Sequence, residues 1–242
     1  FRKLKNFVME YFNLDRDIAR LMVLQRIELA GPKIKKIRKI FGRYLFTNFF
    51  SKFFISPKQI GKEYFKVMSN ELKILEKYMD FENKKILSIG AGMCGLELII
   101  NEKFKDNFFS IIEKDYISKK VSYGWDEDNN EAYNRIDLLK NFLNINKMSS
   151  DSYEIYNFDK DKDNLPIKKF DYIISLFSLD YHYNFSLYFK YLKKVMDTET
   201  RIVFDTIRPD YFQNIFENVE IISNDTKLIH SSKRIVCNKL II

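Results

Sequence analysis

Residues 84–95, Lys-Lys-Ile-Leu-Ser-Ile-Gly-Ala-Gly-Met-Cys-Gly, limit what this chain can fold into more than any other stretch. A short apolar run ends in Gly90-x-Gly92-x-x-Gly95 and passes at once into Leu96, Ile99, Ile100 and Phe104, which repeat at helical spacing. Strand, glycine turn and helix start, in that order, make a nucleotide-cofactor site, because the turn needs positive φ and close approach of backbone to ligand. A second apolar run, Phe108 to Ile112, ends in Glu113. An acid at the tip of the neighbouring strand can accept hydrogen bonds from both ribose hydroxyls.

The rest of the chain sets this unit in an alternating pattern. Apolar runs at 85–90, 108–113, 153–158, 170–176 and 201–205 read as five strands, separated by helical segments near 94–105, 131–143 and 186–197. A short helix at 209–217 leads to two closing runs, 219–223 and 234–241, with no helix between them. The expected fold is α/β: a mainly parallel, seven-stranded sheet with helices on both faces and one antiparallel strand in the edge region. Before the first strand the chain reads as helical, over 3–30, over a basic segment from Ile34 to Leu45, and over a third helix opened by Ser56-Pro57. With 242 residues there is room for one domain and an extension, divided as a helical cap or lid at 1–80 and a ligand-binding domain at 81–242.

Composition narrows the surroundings. No apolar run approaches the roughly 20 residues that span a bilayer, and no secretory pattern opens the sequence, so a cytoplasmic location is expected. The first residue is Phe1, which leaves a preceding targeting segment open. Cys94 and Cys237 are far apart in sequence and read as reduced, packed thiols, and no zinc spacing exists. The net charge of +8 points toward nucleic acid, but Lys, Asn, Ile, Phe and Tyr are abundant throughout, which reads as a global bias. The one local concentration is Lys33, Lys35, Lys36, Arg38, Lys39 and Arg43. As a cap helix it keeps its lysines in water; weak peripheral contact with an anionic membrane is the other use such a helix has.

From about residue 60 onward the sequence resembles the class I S-adenosylmethionine-dependent methyltransferases. Ile86 to Gly95 is similar to the family's first glycine-rich motif, and Ser110-Ile-Ile-Glu113-Lys114-Asp115 to its second-strand acid. Asn157-Phe158-Asp159 stands where the family holds adenine, and Phe170 to Leu176 resembles the fourth strand, whose tip lines the transfer site. The resemblance implies a Rossmann-like methyltransferase fold and S-adenosyl-L-methionine as cofactor. It implies cofactor-binding roles for Gly90, Ala91, Gly92, Glu113, Lys114, Phe158, Asp159 and Leu176. One departure stands out: the family's third glycine falls one position earlier, where this chain has Cys94. The spacing as written fits the dinucleotide fingerprint equally well, and it is the later strands that favour the methyltransferase.

Ser178-Leu-Asp180-Tyr181-His182-Tyr183 follows the fourth strand, where an acceptor meets the methyl group. The expected role of a neutral His182 there is to take a proton from an acceptor hydroxyl, with Asp180 orienting it or binding the acceptor; capping of the next helix or packing among the tyrosines is the alternative. Asp205 is followed by Thr206 rather than the Asn of metal-dependent relatives, so no metal is expected. Tyr123, Trp125 and Tyr133 cluster between the second and third strands and suit a sugar-like or planar acceptor, although packing of the insertion accounts for them as well. His230 receives no role. The expected activity is O-methylation of a small polar acceptor. The competing readings are an RNA ribose methyltransferase, a non-catalytic methyltransferase-like binding protein and a nicotinamide or flavin oxidoreductase. The sequence gives no oligomeric state.

Overall fold

The computed structural model describes residues 9–42, 49, 51–118, 132–223 and 232–241. Seven strands form one sheet: β1 (Lys85–Ile89), β2 (Phe108–Glu113), β3 (Tyr153–Asn157), β4 (Tyr172–Ser175), β5 (Arg201–Thr206), β6 (Phe216–Ser223) and β7 (Lys233–Leu240). Their spatial order is β3-β2-β1-β4-β5-β7-β6. The first five are parallel, and β7 runs antiparallel to both of its neighbours. The reversed strand therefore lies inside the sheet, with β6 outside it at the edge.

Each central strand is apolar on both faces, as a parallel sheet covered on both sides requires. Ile86, Phe109, Ile111, Ile174, Val203 and Val236 face one helical layer. Leu87, Ile89, Ile112, Ile173, Ile202, Phe204, Ile235 and Cys237 face the other. The first layer holds α1 (Arg16–Gln25), α3 (Pro57–Leu75), α4 (Gly95–Lys103) and α5 (Ile136–Ile145); the second holds α6 (Ser186–Val195) and the 3₁₀ turn Pro209–Asn214. A further helix, α2 (Pro32–Phe41), and a single turn at Ser51–Phe54 lie between α1 and α3.

The N-terminal helices share their core with the sheet. Phe12 is fully buried among the rings of Tyr64, Phe65 and Phe142. The Asn146 amide fixes the segment from both sides, accepting from the Asn13 N–H at 2.8 Å and donating to the Asn13 carbonyl at 3.0 Å.

Local chemistry explains the boundaries. Ser56 caps α3, its Oγ accepting from the Gln59 N–H, and Pro57 occupies the first turn. The long helix expected over 3–30 is shorter: Asp15 caps α1 through the Ile18 N–H, and the chain leaves helical geometry at Arg26. The basic helix stops at Gly42, with φ +77. Helix α5 begins at Ile136 rather than 131. The short helix expected over 209–217 is a 3₁₀ turn ending at Asn214, because Phe216 already pairs with Leu240 in the β6–β7 ladder. Both cysteines are buried free thiols. Leu4, Phe7, Val8, Arg43, Tyr44, Leu45, Tyr123, Trp125 and His230 lie outside the described residues.

Candidate active site at the glycine turn and the β4 crest

β1 ends at Ile89 and the chain turns through Gly90 (φ +66), Gly92 (φ +62) and Cys94 (φ +56) before α4 begins at Gly95. Gly90 is required twice over. Its φ is left-handed, and a Cβ there would overlap the Ser178 side chain on the crest after β4. The turn is gripped by hydrogen bonds from three directions. The Gly92 N–H donates to Glu113 Oε2 at 2.8 Å, and the Asn134 amide donates to the Gly92 carbonyl at 2.7 Å. From α3, the Tyr64 hydroxyl accepts from the Gly95 N–H at 3.2 Å. The α1 residue Gln25 comes close to Gly92 and donates to the Tyr133 carbonyl at 2.8 Å, which ties the helical extension to the turn.

Tyr64 shows what the extension contributes. A Cβ on Gly95 would stand 2.5 Å from the Tyr64 ring, so the ring lies directly against the start of α4. Tyr64→Phe leaves a buried N–H without its acceptor. We expect it to cost about 1–3 kcal/mol in chemical denaturation and to weaken ligand binding at the turn.

Glu113, at the tip of β2, is half-buried and also accepts from the Lys114 N–H at 3.1 Å. Burial pushes its carboxyl up to about 7, against the opposing pull of the Gly92 and Lys114 amides and of Asn134. Glu97 lies close by, in the buried first turn of α4 and beside Ser88, and burial raises its carboxyl too. Two acids thus lie beneath the turn, each easier to protonate than in water.

The residues expected to hold an adenine come together. The Lys114 ammonium stands 5.4–5.7 Å from the ring centres of Tyr116, Phe158 and Tyr183. It is 3.5 Å from Asp159, which is exposed. Phe158 packs on Tyr188 of α6 with ring centres 5.1 Å apart. Leu176 is half-buried against the first core.

The crest after β4 is a tight knot. Phe177 (φ +57) and Asp180 (φ +56) are both left-handed without being glycine, and the Ser178 carbonyl accepts from the N–H groups of Tyr181, His182 and Tyr183. Such strain persists only where the surroundings over-determine it. Asp205 accepts from the Phe177 N–H at 2.9 Å, and Arg234 on β7 pairs with Asp205 at 3.0 Å and with Glu71 on α3. Arg26 and Arg234 also stand over the Phe177 ring, at 5.1 and 5.4 Å. His182 is exposed and meets Tyr181 edge to face.

Asp180 is fully buried, and its carboxylate accepts from Thr206 Oγ1 at 2.6 Å and from Arg208 at 2.6 and 3.2 Å. Asp205 and Asp180 are thus each held by an arginine. Sequence reasoning missed Gln25, Tyr64, Glu97, Asn134, Arg208 and Arg234. Only Glu97 left a signal, as an acid inside an otherwise apolar helix start.

Five parallel strands in the order 3-2-1-4-5, followed by a reversed seventh strand between the fifth and the sixth, decide the fold family. The chain has the class I methyltransferase fold. No family model and no curated protein matches the sequence. Among solved structures, a T. thermophilus 16S rRNA N2 G1207 methyltransferase in complex with AdoMet and guanosine is 12% identical, with a TM-score of 0.48 over 71% of this chain and 42% of that one. A cyclopropane-fatty-acyl-phospholipid synthase-like protein from Lactobacillus casei is 17% identical, with a TM-score of 0.42 over 64% and 54%. A putative methyltransferase from Escherichia coli is 11% identical, with a TM-score of 0.48 over 72% and 86%. The match thus spans less than two thirds of the first two proteins. The strand order, and not these scores, carries the assignment of the methyltransferase fold.

Proposed function

We propose that this methyltransferase-fold chain binds S-adenosyl-L-methionine and directs its methyl group to a hydroxyl of a small polar acceptor, sugar-like in character. The observation that carries the reading is the link between the Glu113 carboxylate and the Gly92 N–H, which sets an acid at the β2 tip against a left-handed glycine turn. These residues fit the cofactor: the turn offers backbone without side chains, and Glu113 keeps lone pairs for ribose hydroxyls. Gly90, Ala91 and Gly92 would lie along the cofactor, Lys114, Phe158 and Asp159 around its adenine, and Leu176 beneath it. The cofactor supplies an already activated methyl group, so the chain's work is alignment and exclusion of water. Gln25 and Arg26 roof the glycine turn and the β4 crest, which favours an acceptor of modest size. His182, exposed on the crest, takes the acceptor's proton at a ring nitrogen. Asp180 is a positioning residue, tying the crest to Thr206 and Arg208.

Isothermal titration with S-adenosylmethionine and S-adenosylhomocysteine, with NADH as control, tests the proposal. Micromolar binding of the first two, weakened about a hundredfold in Glu113→Ala by loss of charge-assisted hydrogen bonds, is the expected result. Binding of NADH alone would overturn it.

The acid's position near pH 7 gives a second test. The ribose hydroxyls donate, so binding selects the Glu113 anion and affinity should rise with pH until about 7 and then level off. Titrations in buffers of different ionisation enthalpy should show proton release at the acid side of that range and none well above it. Glu113→Gln should flatten the profile. For folding the sign is opposite: a raised carboxyl favours the folded state at low pH and loses that contribution as pH rises through about 7.

A further inference from the structure

Charge and exposed apolar side chains coincide in one stretch of the sequence, and the site described above uses neither. Of 41 Lys and Arg and 33 Asp and Glu, residues 29–62 hold nine of the cations and no acid. The rest of the chain is close to neutral, so the net charge of +8 is local to this segment and is not the global bias that composition suggests. On α2, Lys35, Lys36, Lys39, Ile40 and Phe41 are exposed while Ile34 and Ile37 turn toward the core. Ile40 is 76% exposed, and further along the sequence Phe53 is 70%, Phe49 57% and Phe54 55% exposed. Lys52 is exposed beside them. Large apolar side chains this open, interleaved with cations, are costly in water unless something covers them.

We infer that α2 and the turn Ser51–Phe54 dock on an anionic phospholipid surface, with Lys35, Lys36, Lys39 and Lys52 at the phosphates and Ile40, Phe49, Phe53 and Phe54 in the acyl boundary. Other partners fit less well. An RNA strand stacks its bases on open ring faces, whereas Phe49 and Phe53 turn edge to face on each other at 61° with ring centres 5.8 Å apart. The exposed residues of α2 are lysines and hydrocarbon, with no amide or acid to read a base edge. A second copy of the chain would set like charges face to face. No helix of the described residues is long and apolar enough to cross a membrane, so the contact is peripheral. The inference is independent of the cofactor, and failure of one leaves the other standing.

Flotation of the whole protein with vesicles of phosphatidylcholine alone, and of phosphatidylcholine mixed with phosphatidylglycerol, tests it. Binding is expected only to the mixed vesicles, and it should fall with salt. Lys35→Gln and Lys36→Gln should each weaken binding about fivefold. The pair Ile40→Ser with Phe53→Ser should weaken it more than tenfold at low salt, without lowering the thermal midpoint. Absence of flotation on mixed vesicles at low salt would overturn the inference. So would binding of polyuridylate that the lysine variants weaken and the Ile40→Ser/Phe53→Ser pair leaves unchanged. A dimer in sedimentation that the Ile40→Ser/Phe53→Ser pair dissolves would assign these segments to self-association and refute the lipid surface.

Discussion

Gly90→Ala is expected to destabilise the protein by about 2–5 kcal/mol and to abolish binding at the glycine turn. Two separate costs add. Alanine at φ +66 gives up the conformation that glycine adopts freely. Its methyl group also enters the space of the Ser178 side chain, and Ser178 is fixed because its carbonyl accepts three N–H groups of the β4 crest. The turn and the crest therefore cannot both keep their places. A double variant separates the two costs. Ser178→Gly in the Gly90→Ala background should recover the steric share in a urea melt and leave about 1 kcal/mol of backbone strain unrecovered. Equal stability of Gly90→Ala and the parent would show that the crest can move away, and that the turn is not built against it.

Arg234→Ala should have an effect of similar size by a different route. Arg234 and Asp205 are both buried, and the arginine also reaches Glu71, so the change strands an acid inside the sheet. Removing one partner of a buried pair costs about 3–5 kcal/mol. The penalty should depend on pH. Burial already raises the Asp205 carboxyl, with Arg234 as the main opposing influence, and loss of the arginine raises it further. A folded-state value above the unfolded one favours folding at low pH, and that contribution disappears as pH rises through the folded value. The variant should therefore lose most stability, relative to the parent, near neutrality and least in mild acid, as read by denaturant midpoints across pH. A flat difference would mean that Asp205 finds another cation. Arg234→Lys should recover part of the loss at every pH but not the two-point grip on Asp205.

The strand and glycine-turn framework was legible because it is written locally. Apolar runs at 85–90 and 108–113, with the glycines and Glu113 at their ends, match β1, the turn and β2 within a residue. The closing strands were legible too, since no helical period separates them. What could not be read is what distant segments do to one another. The Tyr64 hydroxyl and Gly95 are 31 residues apart, and Arg234 and Glu71 are 163 apart. No periodicity encodes such pairs. Asp180 looked available because it stands beside His182 in sequence, yet Arg208 and Thr206 claim its carboxylate from the end of β5. The basic helix was visible as a cluster of lysines, but its hydrocarbon neighbours look like ordinary core until their exposure is known. Helix length was overread at the N-terminus because apolar content continued past the stop at Arg26.

The placement of β7 has a consequence for how the molecule is made. Among the described residues β6 pairs only with β7, the strand that follows it in chain order. During synthesis β6 leaves the ribosome with nothing to pair with, and it joins the sheet only when the strand after it slots in beside β5. The same strand delivers Arg234, so the acid behind the β4 crest waits for its cation until β7 is made. The half of the sheet that carries the glycine turn, β1 to β3, can settle early, because its partners lie close together in the chain. A nascent chain is thus completed in a defined order, with the glycine-turn half of the sheet before the half that holds β7. Any interruption between β6 and β7 leaves an open sheet edge at β5.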